Sequence, residues 1–141
     1  MSVRSASLYL LDTNVISHLM RYPLGAAMQR LLQLQGESQA ATICTSVLVQ
    51  YELRYGLQRK SNPRLQQRYE EAMDFITVLP LDGAVATPYA TLRTQLEAAG
   101  TPIGPHDTLI AAHALSLGAT LVSGDAEFAR VPGLSLENWL D

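Results

Sequence analysis

An α/β fold, with a mostly parallel central sheet of about five strands between two layers of helices, is the architecture this sequence predicts. Three observations lead there. Short aliphatic or β-branched runs alternate with longer segments of helical period, and parallel strands require crossovers of that kind. Capping residues, prolines and glycines stand at the joints. Aspartates sit at or just beyond the ends of the first and fourth strands, where open α/β sheets gather their ligands.

The first strand is Ser7 to Leu11, and Asp-Thr-Asn leads from it into a helix over Val15 to Arg21, with Thr13 or Asn14 as its cap. Pro23 and Gly25 interrupt; a helical pattern resumes over Ala26 to Gln35, and Gly36 to Gln39 reads as loop. Ala41 to Thr45 is β-branched and forms the second strand, after which Ser46 caps a helix over Val47 to Arg59. Ser61-Asn62-Pro63 breaks that helix and starts another, from Arg64 to about Phe75. Ile76 to Leu81 returns to strand character. Asp82 caps a helix interrupted or begun again near Pro88, which runs to Ala99 and stops at Gly100. Thr101 to Gly104 is loop, and Pro105 suits the first turn of a helix that Gly118 closes after Leu117. Ala119 to Val122 is a short buried strand; a turn or short helix follows Asp125, and Leu134 to Leu136 is the last strand. No repeat, low-complexity tract or linker divides the chain.

Bulk properties agree with one domain over residues 1–141, since 141 residues, 48% of them hydrophobic, suffice for one buried core and are too few for two. The lone cysteine, Cys44, lies in an apolar run, which excludes an intrachain disulfide and suits a reducing, cytoplasmic setting. Leu8 to Leu11 is far shorter than a signal-peptide core or a membrane span. The net charge of −3 names no partner.

Four acids stand out against apolar or small neighbours: Asp12, Glu52, Asp107 and Asp125. One helical turn from Glu52 lie Leu48, Val49, Tyr55 and Gly56, and Asp107 precedes Ile110 and Ala111. A carboxylate buried without a cation is costly, so a partner must come from elsewhere in the chain or from a bound metal. Each has an ordinary alternative: Asp12 as a helix cap, Asp107 as a first-turn acid favoured by the helix dipole, Asp125 in a turn, Glu52 in an ion pair with a distant arginine. Together they form a set of oxygen ligands suited to Mg²⁺ or Mn²⁺ ahead of Zn²⁺. The histidines do not alter this, because His106 and His113 are seven apart and His18 is distant. They read as core or surface residues, with His106 a candidate for the pocket rim. An ion held by carboxylates typically meets phosphate oxygens, so phosphodiester or phosphate-ester chemistry is expected.

Leu10-Leu11-Asp12-Thr13-Asn14, the Glu52 helix, Ile103-Gly104-Pro105-His106-Asp107, Ser123-Gly124-Asp125-Ala126-Glu127-Phe128 and the closing Val-Pro-Gly-Leu-Ser-Leu-Glu-Asn-Trp together resemble PIN-domain ribonucleases. The closest likeness is to VapC-type toxins of bacterial toxin-antitoxin pairs, and it covers nearly the whole chain. It implies a PIN-like three-layer fold and a metal-dependent endoribonuclease acting on RNA, often transfer RNA. It further implies a homodimer silenced by a cognate antitoxin. Asp12, Glu52, Asp107 and Asp125 match the acids that hold Mg²⁺ or Mn²⁺ in such proteins, and Asn14, Ser46 and Ser123 match polar residues supporting the pocket, with Glu127 a further candidate. Where the family often has Thr-Asn-Asp this chain has Ser123-Gly124-Asp125, so the middle amide is lost.

Arg54, Arg59, Lys60, Arg64 and Arg68 make the segment after Glu52 locally positive, suited to guide an RNA backbone or to meet an acidic stretch of an antitoxin. The bland alternative is a solvated face. Tyr51, Tyr55 and Tyr69 flank it and read as core or dimer packing ahead of base stacking. A haloacid-dehalogenase-type phosphatase is disfavoured because its second aspartate is Asn14 here and Lys60 is the only lysine. A response-regulator receiver fails on its missing acid pair and late lysine. A catalytically inactive PIN-like binding module or a housekeeping nuclease stay as alternatives.

Overall fold

The computed structural model describes residues 7–37 and 41–140. Its elements are β1 (Ser7–Leu11), α1 (Thr13–Arg21), α2 (Ala26–Gly36), β2 (Ala41–Ser46), α3 (Val47–Lys60), α4 (Pro63–Met73), β3 (Thr77–Leu79), α5 (Ala86–Ala98), α6 (Pro105–Leu117), β4 (Thr120–Val122) and β5 (Ser135–Glu137). Two 3-10 turns, Gly83–Val85 and Ala126–Arg130, precede α5 and β5. All strands pair in parallel in the order β3-β2-β1-β4-β5. That order places β1 at the centre, with β2 and β4 on either side. A topological switch lies between β1 and β4, where the chain turns from building one half of the sheet to building the other.

Burial explains why these segments became strands. Leu10 and Leu11 in β1, Ile43 and Cys44 in β2, and Leu121 and Val122 in β4 are all inaccessible or nearly so. Consecutive buried residues are what a sheet covered on both faces demands. The helices contribute apolar stripes: Val15, Ile16 and Leu19 from α1, Leu31 from α2, Leu92 and Leu96 from α5, and Ile110, Ala111 and Ala114 from α6. Gly118, at φ +63°, closes α6 in the left-handed conformation that glycine adopts without a steric penalty.

Several boundaries differ from the sequence-based expectation. The cap of α1 is Asp12, not Thr13 or Asn14: Asp12 has extended backbone torsions, and its Oδ1 accepts the Thr13 N–H at 2.8 Å. Gly36 belongs to α2, whose cap is Glu37. Ser38 and Gln39 of the expected loop lie outside the described residues. Pro88 does not break α5, because it falls in the first turn, whose N–H groups need no intrahelical partner. The helix α4 ends at Met73, and β3 keeps only three residues of the expected six-residue run. As an edge strand pairing with β2 alone, it has fewer ladder bonds to extend it.

One buried polar contact couples the two halves of the molecule. His113 on α6 is 1% exposed, and its Nδ1 lies 2.9 Å from Ser46 Oγ at the end of β2. Ser46 Oγ also accepts the Leu48 N–H, so its own proton is free for Nδ1, and the ring's other side faces the Pro80 carbonyl. These partners fit the neutral imidazole. Burial holds its pKa below the ordinary 6.5, against smaller opposing contributions from Asp82 and Pro80. The sign follows: the unfolded chain takes up a proton near pH 6.5 that the native ring resists, so this contribution is present above pH 6.5 and lost as pH falls towards the lower native value. Replacing His113 by Asn keeps an acceptor for Ser46. The expected result is a loss of about 1 kcal/mol at pH 7.5 together with a flatter decline of the melting temperature between pH 7 and 5 than in wild type. Parallel declines would show that the ring does not titrate in this way.

Candidate metal centre

The sheet order brings two aspartates to one place. Asp12 follows β1 and Asp125 comes shortly after β4, and the two strands are neighbours running the same way. The Asp12 N–H completes the ladder by donating to Val122 O at 2.9 Å. Asp107 arrives from α6, whose first turn is set by Pro105 at its start and by Thr108 Oγ1 donating to Gly104 O at 2.9 Å. Glu127 comes from the 3-10 turn, with its N–H donating to Asp125 Oδ1 at 2.9 Å. One carboxylate oxygen from each of Asp107, Asp125 and Glu127 lies within 4.8 Å of the others.

Hydrogen bonds hold this arrangement to the sheet. Ser123 Oγ donates to Asp12 Oδ2 at 2.9 Å and accepts from the Asp125 N–H at 3.0 Å. Asn14 Nδ2 reaches the same Oγ at 3.3 Å, and Asn14 Oδ1 accepts the Gly124 N–H at 3.0 Å. One serine and one asparagine therefore connect the end of β1, the start of α1 and the turn after β4.

Electrostatics show an excess of negative charge. Asp12 is 5% exposed, and burial raises its pKa above the ordinary carboxylate value, with Asp125 adding to the rise and the Thr13 and Ser123 hydrogen bonds opposing it. Asp107 is raised as well, first by burial and then by the charges of Asp12, Asp125 and Glu127. His106, beside Asp107, lowers both and so stands within electrostatic reach of the cluster. Among the described residues, Arg130 lies 3.9 Å from Glu127 on a solvent-exposed edge where such pairs contribute little. Hard oxygen donors that repel one another suit a divalent cation.

Glu52 departs from its expected surroundings. It is exposed, not buried, so no cation is required to offset desolvation there. It stands outside the carboxylate triad, on one wall of a cavity of about 180 Å³ between α1, α3 and α4, with Thr13, Ser17, Arg21, Gly56 and Lys60. Its apolar helical neighbours misled because only Val49 and Leu53 of α3 are buried, whereas Tyr51 and Tyr55 are 62% and 61% exposed. Those two tyrosines are not core residues; Tyr69, at 4%, is. Ser46 caps α3 as expected, its Oγ accepting the Leu48 N–H, and the same hydroxyl lies 2.9 Å from His113 Nδ1. Conversely, the weaker candidate Glu127 joins the triad, a placement signalled in sequence by its position two residues after a turn-forming aspartate.

The basic segment forms one side of the same region. Lys60 and Arg21 line the cavity beside Glu52, and Arg21, Arg64 and Arg68 line an adjoining one of about 290 Å³. Arg54 and Arg59 lie over the Tyr69 and Tyr55 rings, at 6.0 and 5.7 Å from the centroids. Among the described residues, none of Arg54, Arg59, Lys60, Arg64 and Arg68 makes an ion pair.

Residues 9–134 match the family model described as PIN domain. Ribonuclease VapC2 of Rickettsia felis is 34% identical over 134 residues, covering 94% of this chain and 98% of that protein. The tRNA(fMet)-specific endonuclease VapC of Shigella flexneri is 33% identical, covering 93% and 97%. Among solved structures, VapBC2 from Rickettsia felis bound to a DNA fragment from its promoter superposes with a TM-score of 0.85 at 32% identity, covering 94% of this chain and 98% of that one. DNA-bound VapBC from Salmonella typhimurium gives 0.78 at 28% identity, covering 96% and 99%.

Proposed function

Because the chain belongs to the PIN domain family and, within it, to the VapC group, we propose that it is a metal-dependent endoribonuclease, the toxin of a toxin-antitoxin pair. The observation that carries the chemistry is the triad of Asp107, Asp125 and Glu127 with buried Asp12 beside it. In this reading Asp12, Asp107, Asp125 and Glu127 hold Mg²⁺ or Mn²⁺. The ion, when bound, activates water and offsets charge that develops at the scissile phosphate. The chain's own groups do the rest. Asn14 and Ser123 orient the carboxylates, and His106, beside Asp107 in sequence and within electrostatic reach of the acids, would be available to a phosphate oxygen or a leaving group. Glu52, exposed on the cavity wall next to Thr13, faces the path by which substrate arrives.

Arg21, Lys60, Arg64 and Arg68 supply positive charge along that path, suited to a sequence-independent hold on RNA phosphates. An acidic antitoxin segment would use the same surface and thereby exclude substrate. Transfer RNA as the substrate belongs to this proposal by likeness to the relative named a tRNA(fMet)-specific endonuclease, and a homodimer as the working form by the family resemblance of the sequence. Among the described residues no helix is long and apolar enough to cross a membrane.

Expression in a bacterial host is expected to arrest growth, and the arrest should be relieved by Asp107→Asn or by co-expression of a small protein encoded beside this one. Sequencing of RNA ends from arrested cells should show a narrow set of new 5′ ends within structured RNA, absent with Asp107→Asn. Unimpeded growth accompanied by metal-dependent cleavage in vitro would point to a housekeeping nuclease. No cleavage and no arrest would favour an inactive binding module.

A further inference from the structure

The glycine at 124 is not there for its torsion angles. Its φ lies outside the left-handed region, unlike those of Gly100, Gly118 and Gly133. What distinguishes it is space: a Cβ at position 124 would overlap Leu140 Cδ1 and stand 3.5 Å from Leu140 Cγ. The backbone leading to Leu140 is anchored, while its side chain is half-buried. Trp139 is 4% exposed, packs against Tyr9 with ring centroids 5.8 Å apart, and donates its Nε1–H to Glu137 Oε1 at 3.0 Å. The Leu140 N–H donates to Asn138 Oδ1 at 2.8 Å, which turns the segment back. At its other end, Glu137 O accepts the Ser123 N–H at 3.0 Å.

Residues 137–140 therefore grip the turn after β4 twice, through the backbone at Ser123 and through the Leu140 side chain at Gly124. Between those grips lie the groups that orient the acids: Ser123 Oγ on Asp12 and the Asp125 N–H, and the Gly124 N–H on Asn14. We propose that Leu140, seated on the bare Cα of Gly124, is a positioning residue for the acidic site, fixing the Ser123-Gly124-Asp125 turn so that Asp125 meets Asp107 and Glu127. A side chain at 124 would have to displace the Leu140 terminal methyl from its present rotamer. The inference rests on the metal-site reading only for its consequence in ion binding; the packing claim stands separately.

The experiment measures Mn²⁺ affinity by titration and amide hydrogen exchange in wild type, Gly124→Ala, Leu140→Ala, the double variant and Leu140→Met, with Asp107→Asn as the control for metal binding. Gly124→Ala should weaken Mn²⁺ binding by about 10- to 100-fold, the scale for groups that orient ligands. The double variant should recover most of that loss, because the added methyl then occupies space that Leu140 vacated. Leu140→Met should stay near wild type. Leu140→Ala should speed exchange of the Gly124 and Asp125 amides about tenfold, as local opening of that turn becomes easier, while β1 amides keep their protection. If Gly124→Ala binds Mn²⁺ like wild type, or if the double variant's loss equals the product of the single losses, the proposal is wrong. Should Gly124→Ala not fold, or wild type bind no Mn²⁺ (which would sink the metal reading instead), exchange in Leu140→Ala decides, and unchanged rates at 124 and 125 overturn the proposal.

Discussion

Asp12→Asn is expected to abolish RNA cleavage while raising the melting temperature of the metal-free protein. Asparagine keeps an Oδ1 acceptor for the Thr13 N–H, so the cap of α1 survives, while its Nδ2 cannot accept the Ser123 hydroxyl as Asp12 Oδ2 does, a loss of about 1 kcal/mol that the charge relief must exceed. What it removes is a negative charge held at 5% exposure. Because Asp12 and Asp107 have raised pKa values in the native state, the metal-free fold binds more protons than the unfolded chain just above the ordinary carboxylate value. The stability they contribute is therefore present in acid and lost as pH rises through their native pKa values. Above those native values the metal-free fold bears the full repulsion, which Asp12→Asn or Asp107→Asn relieves. The same change deprives the site of a ligand, and cleavage should fall by about 10³-fold or more, corresponding to the several kcal/mol an ion supplies to phosphoryl chemistry. Thermal unfolding with EDTA, beside cleavage with Mn²⁺, measures both halves. A variant that loses activity together with stability would place Asp12 in the architecture and not in the chemistry.

The second large effect is stabilisation by the ion itself. Mn²⁺ at about 100 times its dissociation constant should stabilise the native state by about 2.7 kcal/mol, roughly 5–10 °C in melting temperature for a chain of this size. EDTA should reverse this and stop cleavage. The shift should shrink sharply in Asp107→Asn, Asp125→Asn and Glu127→Gln, whose oxygens converge. In Glu52→Gln it should stay near the wild-type value even where cleavage is impaired, because Glu52 lies outside that triad on the cavity wall. A Glu52→Gln variant that loses the shift as fully as Asp107→Asn would put Glu52 inside the ion's coordination. A wild-type protein whose melting temperature ignores Mn²⁺ would argue against a metal site altogether.

Much of the architecture was legible in the order of residues, because parallel strands covered on both faces must be continuously apolar and helix starts must be capped locally. Leu10-Leu11, Ile43-Cys44 and Leu121-Val122 announced three strands in this way, and Ser46, Asn62 and Asp82 announced helix starts that their side chains do cap. Errors of a residue or two at Gly36, Met73 and β3 arose where the next partner in space, not the local sequence, decides how far an element extends.

The acids divide along the same line. Asp12 and Asp125 could be placed near strand ends from sequence, and Asp107 in a first helical turn, since those positions depend on a few neighbouring residues. That β1 and β4 lie side by side, bringing Asp12 to Ser123 and Asp125, was decided by the strand order alone. Whether Glu52 was buried depended on how α3 is rotated about its axis, and apolar residues at helical spacing do not settle that when only a narrow stripe of the helix meets the core. Glu127 and Leu140 gained their places by the same route, one through a 3-10 turn and the other through a segment folded back on Gly124. Sequence by itself determined which residues carry charge and which segments need cover; tertiary structure decided which charges meet, because carboxylates repel or share an ion over a few ångströms of space, whatever their separation along the chain.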